Sequence, residues 1–151
     1  MATQRDLPYM NFNFLVDLGT GDTNSIQAGF QEVSGLNMEI NTADYRNGNE
    51  KTNHVRKVLG MHSFGDVTLR RGVIGSLDLY EWLDQARNGD QDAARNVTIQ
   101  LLDEAREGTV MTWRLTNARP IRYTAPSFNA TGGSEVAIEE LVLSVEALDI
   151  E

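Results

Sequence analysis

Along most of the chain apolar residues recur at every second position. From Asn11 to Leu18, Phe12, Phe14, Val16 and Leu18 share one face while Asn11, Asn13 and Asp17 share the other, which is the period of a half-buried strand. Ala28 to Val33 and Leu36 to Tyr45 predict two more strands around Ser34-Gly35. In the second of these Leu36, Met38, Ile40 and Thr42 alternate with Asn37, Glu39 and Asn41. Alternation stops from Arg46 to Gly60, a polar stretch that reads as a long loop, and loops of that length in a compact domain are usually functional. Phe64 to Arg71 resumes as a strand. The period then changes: Leu79, Trp82, Leu83 and Ala86 recur at helical spacing between Ser76, a candidate N-cap, and Asn88-Gly89. This predicts one helix over about 76–88, with Trp82 and Leu83 buried. Strands return at Asn96 to Asp103, Thr109 to Ala118 and Ile121 to Ala125, with Pro120 expected at a strand start or edge. The last segment, Glu135 to Leu148, changes phase. Val136 and Ile138 fill one face and Leu141, Leu143, Val145 and Ala147 the other, as a bulge at Glu139-Glu140, or a strand whose two ends are covered on opposite faces, would produce. Seven or eight strands and one helix predict a mainly β fold, a single domain over 1–151 in a β-sandwich or barrel with the helix packed on it.

Composition narrows what such a domain could do. A chain of 151 residues buries enough surface for a real core, and without Cys it has no disulfides, thiolate metal sites or thiol nucleophiles. No run approaches the ~20 apolar residues of a membrane span, and the start lacks the apolar stretch of a secretory signal. The expectation is therefore synthesis in the cytoplasm and no insertion into a membrane. A net charge of −9 argues against gripping nucleic-acid phosphates. The charge is uneven: residues 1–75 carry eight acids and seven bases, whereas 76–151 carry fourteen acids and six bases. Arg46, Lys51, Arg56 and Lys57 face only Glu50 inside the polar loop, and the chain's two lysines both lie there. That window reads either as a solvated basic loop or as a basic arm on an acidic body, which invites one copy to dock on another.

Candidate chemistry is sparse. The two histidines, His54 and His62, stand eight residues apart in or beside the loop. Neither has the setting of a nucleophile elbow or the carboxylate companions of a zinc site. Gly19-Thr20-Gly21 lacks the third glycine, the following helix and the lysine of a phosphate loop. The acid pairs Asp103-Glu104 and Glu139-Glu140 read as solvated turns or faces in an acidic chain. No enzyme activity, cofactor or metal is expected.

Several segments, taken in order, carry a family resemblance. Phe30-Gln31-Glu32-Val33-Ser34-Gly35-Leu36, Glu39 and Asp44-Tyr45-Arg46-Asn47-Gly48 come first, followed by Val67-Thr68-Leu69-Arg70-Arg71-Gly72-Val73 and Leu79-Tyr80-Glu81-Trp82. Arg95-Asn96-Val97-Thr98-Ile99-Gln100-Leu101, Trp113-Arg114-Leu115-Thr116-Asn117-Ala118 and Glu135-Val136-Ala137-Ile138-Glu139-Glu140-Leu141 complete the series. This order resembles the tail-tube proteins of contractile phage tails and phage-derived contractile injection systems, which are similar to the haemolysin-coregulated tube proteins. The resemblance implies two packed antiparallel sheets plus a helix, and hexameric rings that stack head to tail into a hollow tube. Its implied partners are further copies, a contractile sheath protein, baseplate, tube-initiator and spike proteins, and a tape-measure or cargo in the lumen. Two alternatives stay open: a monomeric acidic β-sandwich binding module, and a tube initiator at the baseplate.

Within that frame the loop at about 46–62 is expected to be the inter-ring arm, carried by Tyr45, Arg46, Lys51, His54, Arg56, Lys57 and His62. Val97, Ile99, Trp113, Val136, Ile138, Leu141, Leu143 and Val145 are expected on the strands of the tube wall. Thr98, Gln100, Thr112, Arg114 and Thr116, pointing away from the core, are candidates to face lumen or sheath.

Overall fold

The computed structural model describes residues 2–151. Strands β1 (Phe14–Asp17), β2 (Glu32–Ser34), β3 (Met38–Tyr45), β4 (Arg56–Phe64) and β5 (Val67–Gly72) precede helix α1 (Asp78–Arg87). Strands β6 (Arg95–Leu102), β7 (Thr109–Thr124), β8 (Ile138–Ser144) and β9 (Ala147–Ile150) follow it. All pairings are antiparallel. The path β1-β6-β7-β8-β5-β2, with β9 also on β7, is one seven-stranded network. It folds into two layers because β7 changes partner along its length. Its first half pairs with β6 and β9 (Trp113 opposite Ile99 and Ile150), and its second half pairs with β8 (Arg119 opposite Ser144). Asn117 adopts a left-handed φ of 52° just before that change, and the register shifts between Pro120 and Arg122. Pro120 therefore sits inside one sixteen-residue strand, at the irregularity where its missing N–H does least harm, and Ile121 to Thr124 is not a separate strand.

Between the layers lies one core cluster containing Val16, Val67, Leu69, Leu79, Trp82, Val97, Leu115, Leu141 and Leu143. Alternation in β5 (Val67, Leu69) and β6 (Val97, Ile99) aims one row inward, and each such side chain contributes roughly 1.5–3 kcal/mol of burial. Helix α1 closes the core with Leu79 and Trp82; Leu83 is only half-buried. Trp82 Nε1 donates to the Ala93 carbonyl at 2.6 Å, and the Arg95 guanidinium lies 4.7 Å above its ring. The N-cap position belongs to Leu77; Ser76 Oγ still accepts from the Asp78 N–H at 3.4 Å.

Four other sequence expectations change. Ala28 to Val33 is not a strand: a 3-10 turn (Ile26–Ala28) precedes the three residues of β2. The predicted strand Phe64 to Arg71 is broken at Gly65-Asp66, where β4 ends and β5 begins. The phase slip near the C-terminus is no bulge. Glu139, Leu141 and Leu143 form one continuous inward row, while Val136 and Val145 lie outside the strands and Val136 is exposed. Glu139 occupies a core position because a buried arginine meets it there. Thr112, expected to point outward to lumen or sheath, is buried beneath the chain's C-terminal residues, exchanging both backbone hydrogen bonds with Glu151.

That arginine is Arg71, with 0% exposure against 5% for Glu139. Its Nε donates to Glu139 Oε1 at 2.7 Å, and Nη1 donates to the Gln27 carbonyl at 2.8 Å and to Asp78 Oδ2 at 3.1 Å. Nη2 donates to Asp78 Oδ1, and Tyr123 Oη donates to Glu139 Oε2 at 2.7 Å. Five elements are thus tied at one guanidinium. Burial alone would lower the Arg71 pKa, but Asp78 and Glu139 outweigh it and hold it above its ordinary value. Burial works to raise Asp78, yet hydrogen bonds from Arg71 and Ser76 pull it below 3.8. Burial, then the bond to Glu139, pushes the Tyr123 phenol up to about 12.

Candidate assembly arm

The stretch expected to be a loop, 46–60, is the tip of a β-hairpin together with the first part of its second strand. Strands β3 and β4 pair only with each other, in a two-stranded sheet outside the sandwich. Met38 stands opposite Phe64, Ile40 opposite His62, Thr42 opposite Leu59, Asp44 opposite Lys57 and Tyr45 opposite Arg56. The register shifts between Ile40 and Thr42, where Gly60-Met61 face Asn41 as a bulge. Only residues 46–55 remain outside the strands, forming the tip. All eight residues of β3 are exposed, as are eight of the nine in β4. β3 keeps the alternation that predicts it, with Met38, Ile40 and Thr42 in one row although all are exposed, whereas in β4 the bulge leaves no in–out pattern to read.

The arm is pinned at its root. Gly35 has φ +87°, and a Cβ there would overlap the Asp66 carbonyl oxygen; a Cβ on Gly65 would overlap the Asn37 side-chain amide. Gly65 N–H donates to the Asn37 carbonyl at 3.1 Å. These two close approaches hold the strand entering the arm against the strand leaving it.

At the tip the charges are largely used internally. Lys57 Nζ lies 2.5 Å from Asp44 Oδ1 and Arg56 Nη2 lies 3.2 Å from Glu50 Oε1. Arg46 donates to the carbonyls of Thr52 (3.2 Å) and Glu50 (3.0 Å), closing the turn, and Tyr45 Oη donates to Asn47 Oδ1. Of the bases expected in the arm, Lys51 makes no ion pair among the described residues. The fold brings Tyr45 beside Arg56 but leaves Lys51 and His54 on the tip, apart from His62 near the root. His62 packs edge-on against Phe64, ring centres 5.4 Å apart.

The arm's uncovered apolar side chains went unread in the sequence. Met38, Ile40, Val58, Leu59 and Met61 are all exposed, Leu59 by 72% and Met61 by 82%. Their signal was present as apolar residues inside a polar segment that no core could reach. A two-stranded hairpin carrying them is at best marginally stable alone in water, so the arm is built to be covered. The residues expected on the tube wall divide differently. Val97, Ile99, Leu141 and Leu143 serve the subunit's own core, Trp113, Ile138 and Val145 are half-buried, and Val136 is exposed.

Solved structures of contractile injection systems contain chains of this two-layer β architecture. A chain of the PVC sheath-tube complex, an extracellular contractile injection system in its extended state, matches with TM-score 0.79 and 30% identity, covering 95% of this chain and 91% of that one. A chain of the anti-feeding prophage tube-terminating cap matches with TM-score 0.84 and 28% identity, covering 100% and 95%. Hcp1 from Flavobacterium johnsoniae shares the fold, at TM-score 0.53 and 14% identity over 91% and 93% of the two chains. No curated protein matches. The family described as T4-like virus tail tube protein gp19 matches residues 10–149, and this chain belongs to it.

Proposed function

We propose that the chain is the structural subunit of the inner tube of a contractile tail or injection particle, forming six-membered rings that stack head to tail. The observation that carries this is the exposed apolar hairpin on a member of a tail-tube family: it has no core of its own and needs a neighbour. The role asks for no catalytic group. By analogy with the relatives, whose structures include a sheath-tube complex, a terminating cap and a baseplate, its partners are a sheath protein around the tube and proteins closing its two ends. The lumen would carry a tape measure or cargo. Tyr45, Arg46, Lys51, His54, Arg56, Lys57 and His62 serve the arm, most of them by shaping the hairpin.

Electron microscopy of concentrated purified protein, alongside light scattering, tests this. Rings and tubes are expected for the native chain. Rings without tubes are expected when the arm between Asn37 and Gly65 is replaced by a short glycine linker. A compact monomer at every concentration would refute the reading and favour a monomeric binding module.

A further inference from the structure

The arm leaves the sandwich at the Val67 end of β5, directly after Phe64. The opposite end of the same strand, past Gly72, leads into Val73, Ile74 and Leu77, which are all exposed, Leu77 by 64%. Ile26 of the 3-10 turn, also exposed, lines one cleft with Ile74, Asp22 and Ser76. Gln27 Nε2 donates to Ser76 Oγ at 3.0 Å, and the Val73 N–H donates to the Ala137 carbonyl at 2.9 Å, so this apolar surface rests on fixed backbone. Besides single exposed residues elsewhere, such as Leu7, Phe12, Phe128 and Val136, the subunit therefore carries uncovered apolar side chains at both ends of β5.

We infer that the surface formed by Ile26, Val73, Ile74 and Leu77 is the seat for the arm of a second copy. The inference rests on the stacked-tube reading and names the receiving surface. Like surfaces do not suit each other here. The arm carries Arg46, Lys51, Arg56 and Lys57 against Glu39, Asp44 and Glu50, a small positive excess gathered at the tip, whereas the seat is flanked by Asp22 and by Glu81, one helical turn beyond Leu77. Arm on arm would bring excess positive charge together, and seat on seat excess negative charge. Arm on seat matches apolar to apolar and basic to acidic. A contact between two different surfaces is heterologous and does not close on itself in a pair; it closes into a ring or propagates as a stack, and surfaces at opposite ends of one strand suit the stack.

The chain has no cysteine, which makes a cross-linking test clean. Leu59→Cys places a thiol on the arm and Leu77→Cys places one on the seat; both positions are exposed, so folding is spared. The two variants are mixed, allowed to assemble and treated with a short bismaleimide. A cross-linked dimer is expected from the mixture and from neither variant alone. Leu77→Asp is expected to leave rings intact and abolish tubes, with an unchanged circular dichroism spectrum. Tubes that form without the mixed cross-link would overturn the seat, as would a dimer from Leu77→Cys alone. A mixed cross-link that persists in isolated single rings would also overturn it, by putting the arm on a lateral neighbour. Failure to form rings or tubes at all would instead overturn the tube reading on which the seat depends.

Discussion

Replacing Arg71 by Met keeps the length of the side chain and removes its charge from the centre of the Glu139–Asp78 cluster. Glu139, 5% exposed, would keep the Tyr123 hydroxyl as a donor but lose its counter-charge, and Asp78 would face it across the space the guanidinium filled. Removing one partner of a buried ion pair costs about 3–5 kcal/mol, because the remaining charge stays desolvated. A domain of this size is stable by about 5–15 kcal/mol, so the loss is a large share of the total. At roughly 2–4 °C per kcal/mol, Tm should fall by about 6–20 °C. The double variant Arg71→Met/Glu139→Leu should recover most of the loss, since well-packed apolar replacement of a buried pair is often neutral. Urea titration followed by circular dichroism and tryptophan fluorescence gives all the values needed for the double-mutant cycle. Two results would refute the reasoning: a cost below about 1 kcal/mol for Arg71→Met, or a double variant as unstable as the sum of the two singles. Acid should act in the same direction. The folded pKa of Asp78 lies below 3.8, so its contribution is complete above that value and is lost as pH falls through the folded pKa.

Gly35→Ala should cost clearly more than Gly21→Ala in the same urea titration. Both glycines have positive φ, worth about 1–2 kcal/mol of strain, but an added Cβ at Gly21 meets nothing while at Gly35 it overlaps the Asp66 carbonyl. Equal costs would show that the arm's root is not packed as described. Trp82→Phe keeps an aromatic side chain but leaves a cavity and strips the donor from the buried Ala93 carbonyl, so thermal unfolding should report a loss of at least about 1–3 kcal/mol. Lys57→Glu sets like charges directly across the hairpin from Asp44 and should loosen the arm, seen as faster amide exchange in β3 and β4. Adding Asp44→Lys should restore protection.

Legibility followed burial. Val97 and Ile99, Val67 and Leu69, and Leu79 and Trp82 alternate or recur because one face meets a core, and their strands and helix emerge from the pattern within a few residues. In β4, with two solvent faces and a bulge, the same physics leaves no signature, and Arg56 to Gly60 reads as loop; β3, equally exposed, is the exception, legible because Met38, Ile40 and Thr42 still alternate with polar residues. Pro120 misleads for a different reason. Proline marks a strand end unless the strand is changing partners, and only the tertiary pairing reveals that change. Glu139 misleads because a carboxylate in a core row reads as a phase change until its partner Arg71, distant in sequence, is seen beside it. The arm's position and its basic window were legible. The internal use of most of those charges was not, since Lys57–Asp44 depends on a hairpin register that the pattern did not supply.

That internal pairing decides how stacking should respond to salt. If free basic charge on the arm supplied the binding energy, raising salt to about 1 M, where the Debye length is about 3 Å, would dissolve finished tubes. Yet Lys57 and Arg56 are already satisfied by Asp44 and Glu50, and exposed pairs contribute only about 0–1 kcal/mol each. The uncovered Leu59 and Met61 on the arm, and Ile74 and Leu77 on the seat, offer apolar surface whose burial does not weaken with added sodium chloride. Residual charge on the two surfaces then acts mainly on encounter and orientation, and so on rate. Molar salt should therefore slow tube growth from rings, followed by light scattering, while tubes already formed keep their length in electron micrographs. Preformed tubes that fall apart into rings at 1 M salt would show that ion pairs between copies, not apolar contact, hold the stack.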